Sequence, residues 1–206
     1  MSLTIGILRG LSREFADKKI NQTMSSEINS VLEAHGLARY TEDFELCDKN
    51  LTLPEVVCSY KDLHCLRYLS AKIIENDFCL EKISLKGKCK ISPKLRNKIY
   101  RDKKSHLICH SDFDGYYIPV DFSEVIREPD TVGWLGSSFQ LCRELTEIAK
   151  SLNFELGEYM PDLKKLSNER GEELKETTFR NQKWLLLCLY NIAKASIVHN
   201  SAIYFM

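Results

Sequence analysis

The sequence predicts an α+β protein: an antiparallel sheet built on a central β-hairpin, at about 106–122, packed against three or four helices. Two observations carry this. Asp114-Gly115 stands between two alternating runs, and a type I′ turn needs positive φ at both central positions, which glycine supplies at little cost. Four other stretches repeat apolar residues at helical spacing, near 15–35, 59–74, 137–152 and 177–197. A third observation concerns organisation: no linker, internal repeat or low-complexity tract interrupts residues 1–206, so the chain reads as a single domain of 206 residues, long enough to bury a core.

In chain order, Leu3–Leu8 reads as an opening strand interrupted by Gly6. Phe15–His35 reads as a helix with Ile20, Met24, Ile28, Val31 and Leu32 on one face, stopped by Gly36 with Leu37 packing back. A short strand is expected at Phe44–Cys47. A second helix follows Pro54; Ser59 and Asp62 form its capping box, Leu63, Leu66, Ile73 and Ile74 its apolar stripe. His64 and Arg67, three apart, share a neighbouring face. Lys82–Lys104 holds ten Lys or Arg against one acid, Asp102. It reads as a surface excursion with a short helix near Pro93–Tyr100, either simply solvated or a patch for an anionic partner. Beyond the hairpin, Arg127–Gly136 reads as a loop, and Ser137 with Gln140 caps a helix carrying Leu141, Leu145, Ile148 and Leu152. Asn153–Glu176 reads as an acidic loop with one helical turn. Thr177 or Thr178 caps a last helix, apolar nearly all round, to about Ile197, and Ala202–Met206 is a terminal strand.

If the chain reverses at Asp114-Gly115, side chains alternate between faces. Leu107, Cys109, Ser111, Phe113, Tyr116, Ile118, Val120 and Phe122 make an apolar face, while His106, Ile108, His110, Asp112, Tyr117, Pro119 and Asp121 make a polar one. His110 and Asp112 then point the same way, as a base and its orienter or as two metal ligands do. Tyr117, Asp121, His64 and Arg67 are the expected binding groups around them. The plainer reading is a solvated sheet face with ordinary hydrogen bonds. Asp114 belongs to the turn rather than to a calcium loop, since glycine falls at the fourth position and Ser123 stands where the bidentate acid belongs. The G-W-L-G-S-S run before the 137 helix lacks a phosphate-loop lysine, and no G-x-S-x-G elbow is present.

Composition narrows the classes. Lys+Arg and Asp+Glu are both 29, so no global field favours nucleic acid, membrane or acidic substrates. No apolar run approaches the ~20 residues of a membrane span, and Met1–Leu8 lacks the basic start of a signal peptide. The eight cysteines contain no C-x-x-C, and most sit in apolar patterns. That usage predicts reduced, buried thiols in a cytoplasmic protein, with a zinc site as the lesser reading.

The stretch H-S-D-F-D-G-Y-Y-I-P-V-D-F (His110–Phe122) resembles a group of small, uncharacterised bacterial proteins, and L-G-S-S-F-Q-L-C-R-E-L (Leu135–Leu145) continues the likeness. It extends over S-Y-K-D-L-H-C-L-R-Y (Ser59–Tyr68), W-L-L-L (Trp184–Leu187) and A-I-Y-F (Ala202–Phe205). The resemblance implies no activity; some look-alikes resemble immunity-type proteins found near bacterial toxins. The expectation is therefore a non-catalytic binding protein, immunity-type, with a toxin-like protein partner, and a nucleic-acid module ranks only third. The alternative is a small hydrolase, metal-dependent or not, centred on His110 and Asp112. The cofactor and the oligomeric state stay open.

Overall fold

The computed structural model describes residues 2–8, 18–42, 53–76, 78–79, 83, 89–175 and 177–206. Its architecture is α+β. Six strands form one mixed sheet in the order β2-β1-β6-β3-β5-β4. Strand β1 (Ser2–Ile7) lies antiparallel between β2 (Glu55–Ser59) and β6 (Ile203–Phe205). Strand β3 (Tyr116–Ile118) meets β6 through Tyr117 opposite Ile203 and runs parallel to β5 (Gly133–Ser137). Strand β4 (Ile126–Glu128) closes the edge as a hairpin with β5.

Helices pack on both faces of this sheet. On one lie α2 (Tyr60–Ile74), α5 (Ser138–Ser151) and α7 (Arg180–His199), whose Leu66, Leu145 and Leu186 share a core with Leu3, Ile5 and Tyr117. On the other lies α1 (Lys18–Ala34), whose Ile28 and Leu32 pack with Ile118, Leu135 and Ala202. Helix α6 (Leu163–Lys175) rests on α7. A small third cluster joins α3 (Pro93–Asp102) and the single turn α4 (His106–Cys109) to α2, through Leu95, Ile99, Ile108 and Ala71.

Two expected caps form: the Ser59 side chain accepts the Asp62 N–H and donates to its carboxylate, and Ser137 accepts from Gln140. The short helix expected near Pro93 opens on that proline, with Ser92 as a cap that accepts from Leu95. Gly36 takes φ +66° after α1, and the Leu37 N–H returns to the Leu32 carbonyl.

The central hairpin does not form. Residues 106–109 coil into α4, and β3 pairs with β5 and β6 instead of with the preceding segment. Two causes are visible. Ser105 and Glu144 cap α4: Glu144 on α5 accepts the Ser105 hydroxyl and the N–H groups of His106 and Leu107. That partner lies 37 to 39 residues away, so no local pattern announces it. A type I′ turn also needs two positive φ angles, and Gly115 (φ +92°) has the only one in the Asp-Gly pair. Gly115 instead lets the chain press on β5: a Cβ there would sit 1.9 Å from the Trp134 carbonyl oxygen.

Other expectations are corrected too. The supposed loop 127–136 contains β4 and most of β5, and the supposed loop 153–176 contains the 13-residue α6. Helix α7 starts from Phe179 in the left-handed region without a side-chain cap, and the Thr177 hydroxyl bonds the Leu174 carbonyl. Not all thiols are reduced, because Cys65 on α2 forms a disulfide with Cys89. Their separation of 24 residues carries no recognisable spacing. Cys58, Cys79, Cys109, Cys142 and Cys188 are free. The strand expected at 44–47, the residues 15–17 expected to open α1, and most of 82–88 lie outside the described residues.

Candidate site around the 110–116 loop

The loop that follows α4 is fixed from α2. Arg67 donates through Nε to the Leu107 carbonyl (2.7 Å), through Nη2 to the His110 carbonyl (2.9 Å) and through Nη1 to Asp112. Carbonyls at the end of a one-turn helix are left without intrahelical donors, and a guanidinium fork meets several acceptors at once. His64, one turn earlier, places Nε2 2.9 Å from the other Asp112 oxygen. Partial burial, then the charges of Arg67 and Arg96, lower the His64 pKa.

Of the expected site residues, the structure therefore brings together His64, Arg67 and Asp112, and separates them from the rest. His110 points into the core, stacked 4.2 Å from the Tyr117 ring and 5.4 Å from Phe205. Its Nδ1 faces the Ser111 carbonyl at 2.9 Å, and Nε2 faces those of Tyr116 and Trp134, both at 3.1 Å. Burial pushes its pKa down to about 4. Gly136 makes room for this stack, since a Cβ there would meet the Tyr117 ring at 2.4 Å. Tyr117 is buried and donates to the His106 carbonyl (2.7 Å); burial raises its pKa far above the usual phenol range. Asp121 lies apart, at the surface, paired with Arg143. The shared outward face of His110 and Asp112 is thus overturned: with helices on both sides of the sheet, strand alternation chooses between two cores, not between core and water. The His110 ring nitrogens face backbone carbonyls while Asp112 pairs with His64 and Arg67, so the expected His110–Asp112 ligand pair is not assembled; no group of three or more His, Cys, Asp or Glu among the described residues is arranged to hold a metal.

Two clefts flank Phe113, which is 75% exposed and lines both. The first, about 630 Å³, is bordered by Glu27 of α1, Asp114, Tyr116 and Thr131. Burial and the Asp114 and Glu27 charges raise the Tyr116 pKa, so both carboxylates act on this cleft. The second, about 590 Å³, is bordered by His64, Arg67, Lys90, Arg96, Tyr100 and Trp134.

Acids are concentrated in one stretch of the chain. From Asp112 to Asp130 the chain holds six acids against one cation, Arg127. Asp112 is paired with Arg67 and His64, Asp121 with Arg143, and Glu128 faces His35 at 3.7 Å. Asp114, Glu124 and Asp130 are exposed, with no ion-pair partner among the described residues. Glu128 and Asp130 sit on the β4–β5 turn, whose Thr131 and Val132 form part of the first cleft.

Over residues 1–205 the sequence matches the family described as "Putative DNA-mimic protein". The chain belongs to this family. No curated protein and no solved structure matches it.

Membership corrects two expectations: the toxin-like partner, and the dismissal of nucleic-acid systems. A family so described points toward proteins that handle DNA. The dismissal rested on a net charge of zero and on Tyr100 being the one aromatic in the basic 82–104 segment, but the zero total sums the basic segment with acids elsewhere. Counting charge over the 112–130 window would have exposed the acidic stretch. Glu144, which organises α4, carried no such signal. No helix among the described residues is long and apolar enough to cross a membrane.

Proposed function

We propose that this chain acts by binding rather than by catalysis, and that its partner is a DNA-binding protein whose DNA-contacting surface it occupies. The family match is the observation that carries the reading. Duplex DNA presents about one negative charge per 1.7 Å of axis, held mostly by Lys and Arg of its partners. Carboxylates offer the same cations charge-assisted, often bidentate, hydrogen bonds. The exposed Asp114, Glu124 and Asp130, with Glu27 on the first cleft and Glu128 on the β4–β5 hairpin, are the groups assigned to that role. A hydrolase centred on His110 lacks support, because that imidazole is buried and both ring nitrogens face backbone carbonyls.

The test is displacement. Proteins of a cell extract are held on DNA-cellulose and washed with the purified chain at low salt. A defined protein should be released, and the release should weaken steeply as salt rises. The triple variant Asp114→Asn, Glu124→Gln, Asp130→Asn should release at least about tenfold less, as expected when several charge-assisted contacts are removed. Release of nothing, or equal release by the variant, counts against the proposal.

A further inference from the structure

The second cleft has a different character from the acidic one, and the mimic reading makes no use of it. Asp112 is its one carboxylate among the described residues, and Arg67 and His64 already answer that charge. Lys90 and Arg96 line the same cleft, both exposed and without an ion-pair partner among the described residues. The Arg96 charge reaches inward far enough to lower the His64 pKa. The disulfide from Cys89 to Cys65 anchors the backbone beside Lys90 to α2, which fixes one cation on the rim. Around these cations stand three aromatic rings: Tyr100 of α3 (43% exposed), Phe113 and the partly exposed Trp134.

Exposed rings beside unpaired cations are what a nucleotide requires: the base stacks on an aromatic face while phosphate oxygens meet Lys or Arg. A volume of about 590 Å³ falls within the range of small-molecule sites. Phe113 has no packing reason to lie 75% exposed, and the loop that carries it is held rigidly by Arg67. We propose that the cleft between α3 and the 110–116 loop binds a nucleotide phosphate with an unpaired base, the phosphate at Lys90 and Arg96 and the base against Phe113. Such a nucleotide is either free or part of a single strand. In duplex DNA the base faces are already stacked and unavailable.

The experiment titrates the full chain, disulfide intact, with adenosine 5′-monophosphate, a short oligothymidylate, the corresponding duplex, and inorganic phosphate. Saturable binding of the mononucleotide, of the single strand, or of both is expected; which of them binds identifies the source. Duplex and inorganic phosphate should bind at least about tenfold more weakly, because neither offers a free base to stack. Phe113→Leu should weaken binding by about tenfold, and Lys90→Gln with Arg96→Gln should do the same; all three positions are exposed, so the variants should fold normally by circular dichroism. The proposal is overturned if neither the mononucleotide nor the single strand binds, if duplex or phosphate binds equally well, or if folded variants bind as the parent does. The acidic-side triple variant leaves every residue of this cleft in place, so the two proposals fail separately.

Discussion

Arg67 holds the 107–112 segment to α2 through two backbone carbonyls and the Asp112 carboxylate, with only 11% of its side chain exposed. Arg67→Ala would leave the two carbonyls unpaired and Asp112 with His64 alone, a loss worth about 3–5 kcal/mol for a buried ionic group. Arg67→Lys should recover little, because one ammonium cannot serve three separated acceptors. Urea unfolding reads both values, and a loss under about 1 kcal/mol for the alanine variant would mean the network contributes nothing net. At this scale the sequence was partly legible. The three-residue spacing of His64 and Arg67 placed them together, and α2 does deliver both to Asp112. The identical inference for His110 and Asp112 failed, because a spacing of two has that meaning only on a strand, and His110 follows a helical turn.

Helix ends show which element signals a sequence can carry. A cap is a contact between residues three apart, so Ser59 and Ser137 could be read from local pattern alone. Ser59→Ala should lower stability by about 1 kcal/mol. Thr178→Ala should be neutral, since α7 starts without a side-chain cap; thermal melts of the pair decide this, and equal melting points would refute it. The 106–122 segment is the opposite case. Its alternation is genuine, but β3 found partners at 135–137 and 203, and α4 found its cap at 144. Pairing of that kind is chosen by the assembled sheet.

For the whole molecule, three buried titratable groups near α4 set an opposed pH dependence. Burial pushes His106 and His110 down to about 4 and Glu144 up to about 7. An unfolded histidine takes up its proton near 6.5, so the unfolded chain binds more protons between about 4 and 6.5. The stability contributed by the two histidines is therefore complete above about 6.5 and lost as pH falls. Glu144 acts the other way: the folded state keeps its proton up to about 7 while the unfolded carboxyl releases it near 4.5, so its contribution is lost as pH rises. Two protons against one leave net stability rising with pH, by about 1.4 kcal/mol per unit between about 5 and 6. Glu144→Gln removes the opposing group and should roughly double that slope in urea midpoints; an unchanged slope would show that Glu144 does not titrate in this range.

By itself the sequence determined the α+β class, the opening and closing strands, the principal helices and two of their caps, and the burial of α7, because those features rest on periodicities and contacts within a few residues. The tertiary structure decided the parallel pairing of β3 with β5, the inward turn of His110, the Cys65–Cys89 bond, and the division of a neutral chain into an acidic and a basic cleft on either side of Phe113. Each depends on which distant segments share a surface. A total charge of zero and an alternating strand are both indifferent to that until the chain has folded.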